Sequence, residues 1–271
     1  MNQKAEKQFN TKPLFITFAL LTLVGLVCWY LQLTRGLQLT NLNSFTTWGL
    51  YIIGFMIFTG IAAGSLIFAS SAYLFESMAE FKPLARIAAF VGAIGSVVAA
   101  GLFIVVDIGN PQRAWYMITS GNIHSPMFWD SLILGAYVII CIFFTRQLML
   151  VNEGEKEEES LKAISVIAFI AGVMVMVTSF VFALQVARPM WHNPAMPISF
   201  LAAALVAAFA LLIIIFAALN KSGYVDISNE QLMKIGKLAG IFLFLELFIV
   251  LGEAIIGLIR GQEKKPRLSV G

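Results

Sequence analysis

Charge is what this chain has least of. Asp, Glu, Lys and Arg make up 12% of its 271 residues, against 59% hydrophobic, where a soluble domain carries roughly 25% charged residues. That scarcity excludes a soluble globular fold, which could not cover so much apolar surface. It also argues against nucleic acid as a partner, because the net charge of +3 is spread over separated connectors and no basic patch is interleaved with aromatics. Metal-ligating residues are equally sparse. The two cysteines, Cys28 and Cys141, lie inside apolar runs and far from any CxxC spacing, so they read as helix filler and not as zinc or iron–sulfur ligands. The two histidines, His124 and His192, fall in connectors, whereas a bis-histidine haem needs imidazoles projecting inward from helices. No metal and no haem bound by this chain alone are expected. Long polar stretches are missing too, so no extramembrane domain is expected.

What the sequence has instead is repetition of one device. Seven apolar runs, near Leu14–Leu33, Thr47–Phe75, Ala85–Val106, Phe128–Leu150, Leu161–Val186, Ile198–Leu219 and Ile235–Ile259, are each long enough to cross a hydrocarbon layer roughly 30 Å thick. The fold class that follows is an all-α integral membrane protein, a polytopic helical bundle with at least seven transmembrane helices. The first run reads as a full span and not as a cleaved leader, since no small-residue cleavage site precedes Trp29, Tyr30 and Arg35. Gly60, Gly64 and Ser65, with Ala62 and Ala63 between them, give the second helix a small-residue face suited to close helix contact.

The connectors fall into two kinds. On the side of the N-terminus they carry eleven Lys and Arg residues, from Lys4 to Lys237; on the other they carry Arg35, Arg113 and Arg188, apart from a basic tail after Ile259. The bias places the N-terminus in the cytoplasm. Residues 1–13 are then a cytoplasmic tail, 14–46 a first helix with its outer loop, 47–259 the main bundle and 260–271 a tail. The basic side is solvated charge, as in Glu153–Glu159. The opposite side holds the motif-like stretches Asp107–Arg113, His124–Asp130 and Ala187–Pro194, and all five tryptophans, Trp29, Trp48, Trp115, Trp129 and Trp191. An aromatic belt is normally shared between both interfaces. Its one-sidedness marks the outer face as a docking surface, with Arg113, Trp115, Trp129, Trp191 and His192 as the expected partner interface.

Ionisable groups in or beside a span are costly and are candidate functional residues by default. Asp107 closes the third run, Asp130 opens the fourth, and Gln185 and Arg188 end the fifth, so bundling would bring them together at the outer interface. Two arrangements fit: Asp107 paired with Arg113 or Arg188 and Asp130 favoured by a helix dipole, or a polar pocket roofed by Trp48, Trp129 and Trp191 that takes an amphipathic head group. Glu246 and Glu253 lie seven residues apart on the last run, on nearly one face and about 10 Å apart along the axis. They suit proton uptake and relay, a helix–helix hydrogen bond, or an ion site. Counting from Ile235 places Glu246 near mid-depth and Glu253 two turns nearer the outer face.

Together these stretches resemble the NrfD-like family, the polysulfide-reductase-type membrane subunits of respiratory complexes. The resemblance rests on Trp48-Gly49-Leu50-Tyr51 running into Gly60–Ser65, Asp107-x-Gly109-x-Pro111-x-Arg113, Ser125-Pro126-Met127-x-Trp129-Asp130, and Gln185-Val186-Ala187-Arg188-Pro189-x-Trp191-His192. It implies an anchor subunit in a prokaryotic cytoplasmic membrane that holds no redox cofactor of its own. Such a subunit takes quinone or menaquinone as substrate near the outer face, and exchanges electrons with a ferredoxin-like iron–sulfur subunit and a molybdopterin catalytic subunit or another redox module. Carried onto this chain, the quinone-binding residues are Tyr51, Asp107, Asp130, Gln185 and Arg188, and the proton-transfer residues Glu246 and Glu253. Where some members supply a histidine, asparagine or tyrosine beside Tyr51 or Gln185, this chain has the apolar stretches Ile52–Phe55 and Val175–Val177. The resemblance also implies one or two helices after the seventh. The alternative, from another class, is a proton- or ion-coupled secondary transporter using Glu246 and Glu253. Transporters break their helices at mid-membrane in repeated halves, whereas the prolines here sit at helix ends and in connectors.

Overall fold

A computed structural model describes residues 12–42, 48–178, 181 and 195–263. No strand occurs among them, and seven helices are long and apolar enough to cross a membrane. They are α1 (Lys12–Arg35), α2 (Leu50–Leu74), α3 (Glu76–Asp107), α4 (Pro126–Asn152), α5 (Leu161–Val177), α6 (Met196–Lys221) and α7 (Asn229–Glu263). Lipid offers the backbone no hydrogen bonds, so each crossing segment must satisfy its own N–H and C=O groups, and the helix is the open-chain way to do so.

Observed ends differ from the apolar runs where cap chemistry intervenes. Ser125 and Pro126 start α4 two residues before Phe128, because proline at the first helical position loses no bond and its φ is already helical. Asp130 is therefore not in the first turn of its helix, which contains no acid, but one turn in. The last helix begins at Asn229, six residues before Ile235. α3 is not uniform: a π-helical segment, Ala88–Ile94, separates the α-helical stretches Lys82–Ile87 and Gly95–Asp107. At its far end the chain leaves through Gly109 at φ +69°, the left-handed position that stops a helix and favours glycine.

α2 is the axle of the bundle, packed against α3, α5 and α6. Its small residues are what allow this. A Cβ built on Gly60 would stand 2.9 Å from the Ala204 Cβ, one on Gly64 2.5 Å from the Ala208 Cβ, and one on Gly54 2.7 Å from the Phe103 ring. α5 reciprocates with Gly172, whose Cβ would lie 3.0 Å from the Ala63 carbonyl oxygen, and α3 with Gly92, whose Cβ would lie 2.6 Å from Ser65 Oγ. The small-residue face expected on α2 is thus a real contact surface, with backbones close enough for dispersion to replace the hydrophobic effect that lipid removes.

The best-packed part of the core lies towards the α2 C-terminus. Phe68 meets the rings of Phe81, Phe209 and Phe216 at centroid separations of 5.3, 6.1 and 6.0 Å, and Tyr137, Phe144 and Leu212 are fully enclosed. Beyond it the charged connectors are stitched together: Lys82 pairs with Glu158, and Lys234 with Glu80 and the Ser77 carbonyl. These pairs are partly exposed and fix loop positions more than they add stability. At the opposite pole, where α2, α4 and α6 begin, packing is more open. α1 lies at the rim, with its described residues exposed except for half-buried Trp29 and buried Gln32. Cys28 faces outward from α1 and Cys141 is buried in the core, in keeping with their reading as filler.

Candidate functional site

Of the residues singled out in the sequence, Tyr51, Asp107 and Asp130 lie at that open pole, in two neighbouring groups along α2. In the first, Tyr51 stands in the opening turn of α2 and its hydroxyl donates to Gln32 Oε1 at 2.9 Å. Gln32 in turn donates through Nε2 to the Val106 carbonyl at 2.8 Å. Val106 is in the last turn of α3, where carbonyls have no helical partner, so a side chain from α1 satisfies a group the helix itself leaves open. Asp107 follows directly. Its Oδ1 is buried with no hydrogen-bond partner among the described residues, and no ion pair joins it to Arg113 there.

The second group begins one turn down. Phe55, Met56 and Thr59 of α2 line a narrow recess with Asp130 and Leu134 of α4, Val175 of α5, Thr178 just beyond it, and Phe200 of α6. Asp130 is half-buried and within hydrogen-bonding reach of the Thr178 hydroxyl. Thr59 is 7% exposed and its Oγ1 has no partner among the described residues. Adjoining this recess through the shared residues Met56 and Phe200 is a groove of about 430 Å³ between α2 and α6, lined by Ile53, Met56, Ile57, Gly60, Phe200, Ala203, Ala204 and Ala207. Its wall residues Ile53 and Ile57 are each 50% exposed on the flank of the bundle. A lipid-facing apolar channel thus runs up to a carboxyl and two hydroxyls.

Glu246 belongs to the same pole. Both of its carboxylate oxygens accept from the Ser199 hydroxyl, at 2.8 and 3.0 Å, and Ser199 lies in the first turn of α6, beside Phe200. The mid-depth placement counted from Ile235 is therefore corrected: Glu246 is level with the start of α6. The cause is the early start of α7, whose 35 residues make a rod of about 52 Å that rises past the ends of its neighbours. Glu253, half-buried and about 10 Å further along the axis, stands at or beyond that rim.

Of the interface residues, Trp115 is 71% and Trp129 54% exposed; Arg113 is exposed as well, and Trp129 Nε1 donates to the Ile123 carbonyl at 2.9 Å. Gln185, Arg188, Trp191 and His192 lie outside the described residues. Gln32, Thr59, Thr178 and Ser199 escaped the sequence reading. A lone amide inside an apolar run was a usable signal for Gln32, since polar residues in lipid-embedded helices serve as interhelical links. Hydroxyl residues are too common in such helices to stand out.

Comparison with known proteins gives one consistent picture. The family described as "Polysulphide reductase, NrfD" matches residues 38–264. The chain is 31% identical over 243 residues to a putative dimethyl sulfoxide reductase membrane subunit of Halobacterium salinarum, covering 83% of this chain and 55% of that protein. It is 26% identical over 286 residues to a selenate reductase subunit of Mesobacillus selenatarsenatis, covering 91% and 65%. An Hdr-like menaquinol oxidoreductase integral membrane subunit of Archaeoglobus fulgidus is 26% identical over 200 residues, covering 74% and 49%. The chain thus spans about half to two thirds of the length of these relatives.

Proposed function

Since this chain belongs to the polysulphide reductase NrfD family, we propose that it is the quinone-reactive membrane subunit of a multi-subunit oxidoreductase. Its job is to exchange electrons and protons between the quinone pool and an iron–sulfur partner that serves a molybdopterin or other redox subunit. The observation that carries this reading is the apolar groove between α2 and α6 that adjoins the recess holding Asp130, Thr59 and Thr178. A quinone is an apolar tail with a head group of two oxygens, and the groove and recess match those parts in order. Tyr51 and Asp107 bound the head-group region one turn above, and Gln185 and Arg188 complete the proposed set. The relatives' names, two reductase subunits and a menaquinol oxidoreductase subunit, favour redox chemistry over ion-coupled transport.

What the chain's own residues do follows from their chemistry. Oxygen acceptors and hydroxyl donors orient a quinone carbonyl or quinol hydroxyl. The α2–α6 groove keeps the tail in lipid and water away from the head. Two-electron quinone chemistry also moves two protons, while clusters carry electrons alone, so the membrane subunit supplies the proton path. Glu246 and Glu253, at the rim of the same pole, are proposed for that path, with Ser199 holding the Glu246 carboxyl in place. The exposed Trp115, Trp129 and Arg113 are proposed as part of the partner contact, on the outer face if the N-terminus is cytoplasmic. Purification of the intact assembly in mild detergent tests the proposal: co-purifying iron–sulfur subunits and quinol-dependent turnover are expected, and a lone homo-oligomer without bound quinone would overturn it.

A further inference from the structure

Thr59 breaks a pattern that other hydroxyls of the bundle keep. Inside a helix a serine or threonine can turn its proton back to a carbonyl three or four residues earlier, as Thr22, Ser70, Ser71 and Ser131 do at 2.8, 2.7, 2.6 and 2.9 Å. Thr59 lies well inside α2 and is 7% exposed, yet its Oγ1 makes no such bond. Of the buried hydroxyls without a partner among the described residues, it is the one that lines the recess with Asp130. Across that recess the Thr178 hydroxyl donates to the Val175 carbonyl at 2.7 Å. Its one proton is therefore contested between that carbonyl and Asp130, which are both acceptors when the carboxyl is ionised. The recess has room of about 10 Å³, and one buried water needs roughly 10–15 Å³ with two to four polar partners. A quinone ring is far larger than that, so a head group carried by the groove meets the recess at its mouth, beside Met56 and Phe200.

We infer that the recess is a water site and Thr59 a positioning residue: its hydroxyl holds one water against the Asp130 carboxylate, and that water, not the carboxylate, touches the head group. The inference rests on the proposed quinone site. The water accepts from the Thr59 hydroxyl and from the quinol hydroxyl, and donates to Asp130 and to the Thr178 oxygen, which fills its hydrogen-bonding positions. When a quinol is oxidised there, one of its O–H bonds breaks and the proton passes to the water. The water gives one of its own protons to Asp130, where a new O–H bond forms, and is itself regenerated. The electrons leave for the iron–sulfur partner, and reduction of a quinone runs the same transfers backwards. A bridging water of this kind is nearly as good as a direct hydrogen bond, and it lets a carboxyl set back from the groove serve a head group too large to reach it.

The test uses the whole detergent-solubilised complex and a short-chain naphthoquinol. Infrared difference spectra between the naphthoquinol-reduced and oxidised states are taken in ordinary and in heavy-oxygen water, which shifts the bands of water itself. The native complex should show an O–H stretching band that moves with the label. Thr59→Ser keeps the hydroxyl and should retain the band, whereas Thr59→Val keeps the shape without the hydroxyl and should lose it. With naphthoquinol, kcat of Thr59→Val should fall roughly tenfold, the scale of one lost hydrogen bond, with KM little changed and turnover by an artificial soluble donor intact. Thr59→Ser should recover most of that rate. Ser70→Ala removes a hydroxyl satisfied by its own helix and should leave both readouts alone. If Thr59→Val does not assemble, Thr59→Cys takes its place, since a thiol is similar in size and a weak donor. A labelled band that survives loss of the hydroxyl, or no such band in the native complex, overturns the inference. So does a raised KM with unchanged kcat, because Thr59 would then hold the head group directly while the quinone site stands. Failure of naphthoquinol to reduce the native complex, with soluble-donor turnover intact, would remove the site and the inference together.

Discussion

Substituting Gly64 by alanine puts the close contact of α2 with α6 to a quantitative test. The new methyl would lie 2.5 Å from the Ala208 Cβ and 3.2 Å from the Ala204 carbonyl oxygen. Carbon atoms pack at about 3.5–4.0 Å, so the two helices would have to part by roughly 1–1.5 Å. Neither obstructing atom is the far end of a flexible side chain that could swing away. Overpacking of this kind costs about 1–3 kcal/mol, which corresponds to a fall in melting temperature of roughly 3–10 °C. Because Gly60, one turn away, lines the groove between the same helices, the groove should widen and quinol affinity should change as well. The assay is thermal unfolding of the purified complex followed by dye binding or size exclusion. Gly135→Ala is the control, since nothing lies within 4 Å of its added Cβ, and alanine in a helix is otherwise slightly stabilising. Pairing Gly64→Ala with Ala208→Gly removes the obstructing methyl and should recover most of the loss. If Gly64→Ala melts no lower than Gly135→Ala, the close approach of α2 and α6 is wrong, and with it the groove.

Other consequences are simpler to read. Asp130→Asn keeps the shape of the recess but removes its charge, and should lower quinol-dependent turnover about 10-fold or more while turnover with an artificial soluble donor stays intact; equal rates with quinol in an assembled variant would clear Asp130 of a role. Glu253→Gln should slow quinone turnover with unchanged assembly, and a full rate would show that this carboxyl is structural. Trp115 and Trp129, exposed at the motif-bearing pole, should be shielded from surface labelling and oxidation in the intact complex; labelling equal to that of the isolated chain would put the partner elsewhere.

The sequence showed the spans well and the site only in part, for different physical reasons. A span is fixed by the thickness of the bilayer, so its signal is about twenty residues long and tolerates errors of a few residues at each end. Five of the seven apolar runs coincide with helices to within a turn or two at their ends, and a sixth, Ala85–Val106, lies inside an α3 that starts further back at Glu76; the end of the Leu161–Val186 run passes outside the described residues. Asp130 and Glu246 were found because charge in lipid is rare, but their placement depends on where a helix starts. That is decided by a cap such as Ser125-Pro126 or by a polar opening such as Asn229-Glu230, not by the apolar run. Gln32 and Ser199 were missed because their roles are relational. A glutamine on α1 matters only because the last turn of α3 leaves the Val106 carbonyl open opposite it, and a serine on α6 only because α7 rises high enough to bring Glu246 level with it.

The division of the bundle into a tight pole and an open one explains why such relations concentrate where they do. Around Phe68 the helices are locked by aromatic rings and by glycine–alanine contacts, and the connectors beyond are clamped by Lys82 with Glu158 and Lys234 with Glu80. With one end held, small residues at the other leave room for a groove between α2 and α6, lined by Gly60, Ala203, Ala204 and Ala207, and for a recess beside Asp130. Some side chains there find a backbone carbonyl, as Gln32 does at Val106; the other polar groups need a specific side-chain partner or a ligand. Tyr51 has Gln32, and Glu246 has Ser199. Asp107 Oδ1 and Thr59 Oγ1 have none among the described residues, and an unpaired polar atom buried away from water costs about 1–3 kcal/mol. A bound head group that hydrogen-bonds to either atom recovers that cost, so binding at this pole offsets part of what burying those atoms loses.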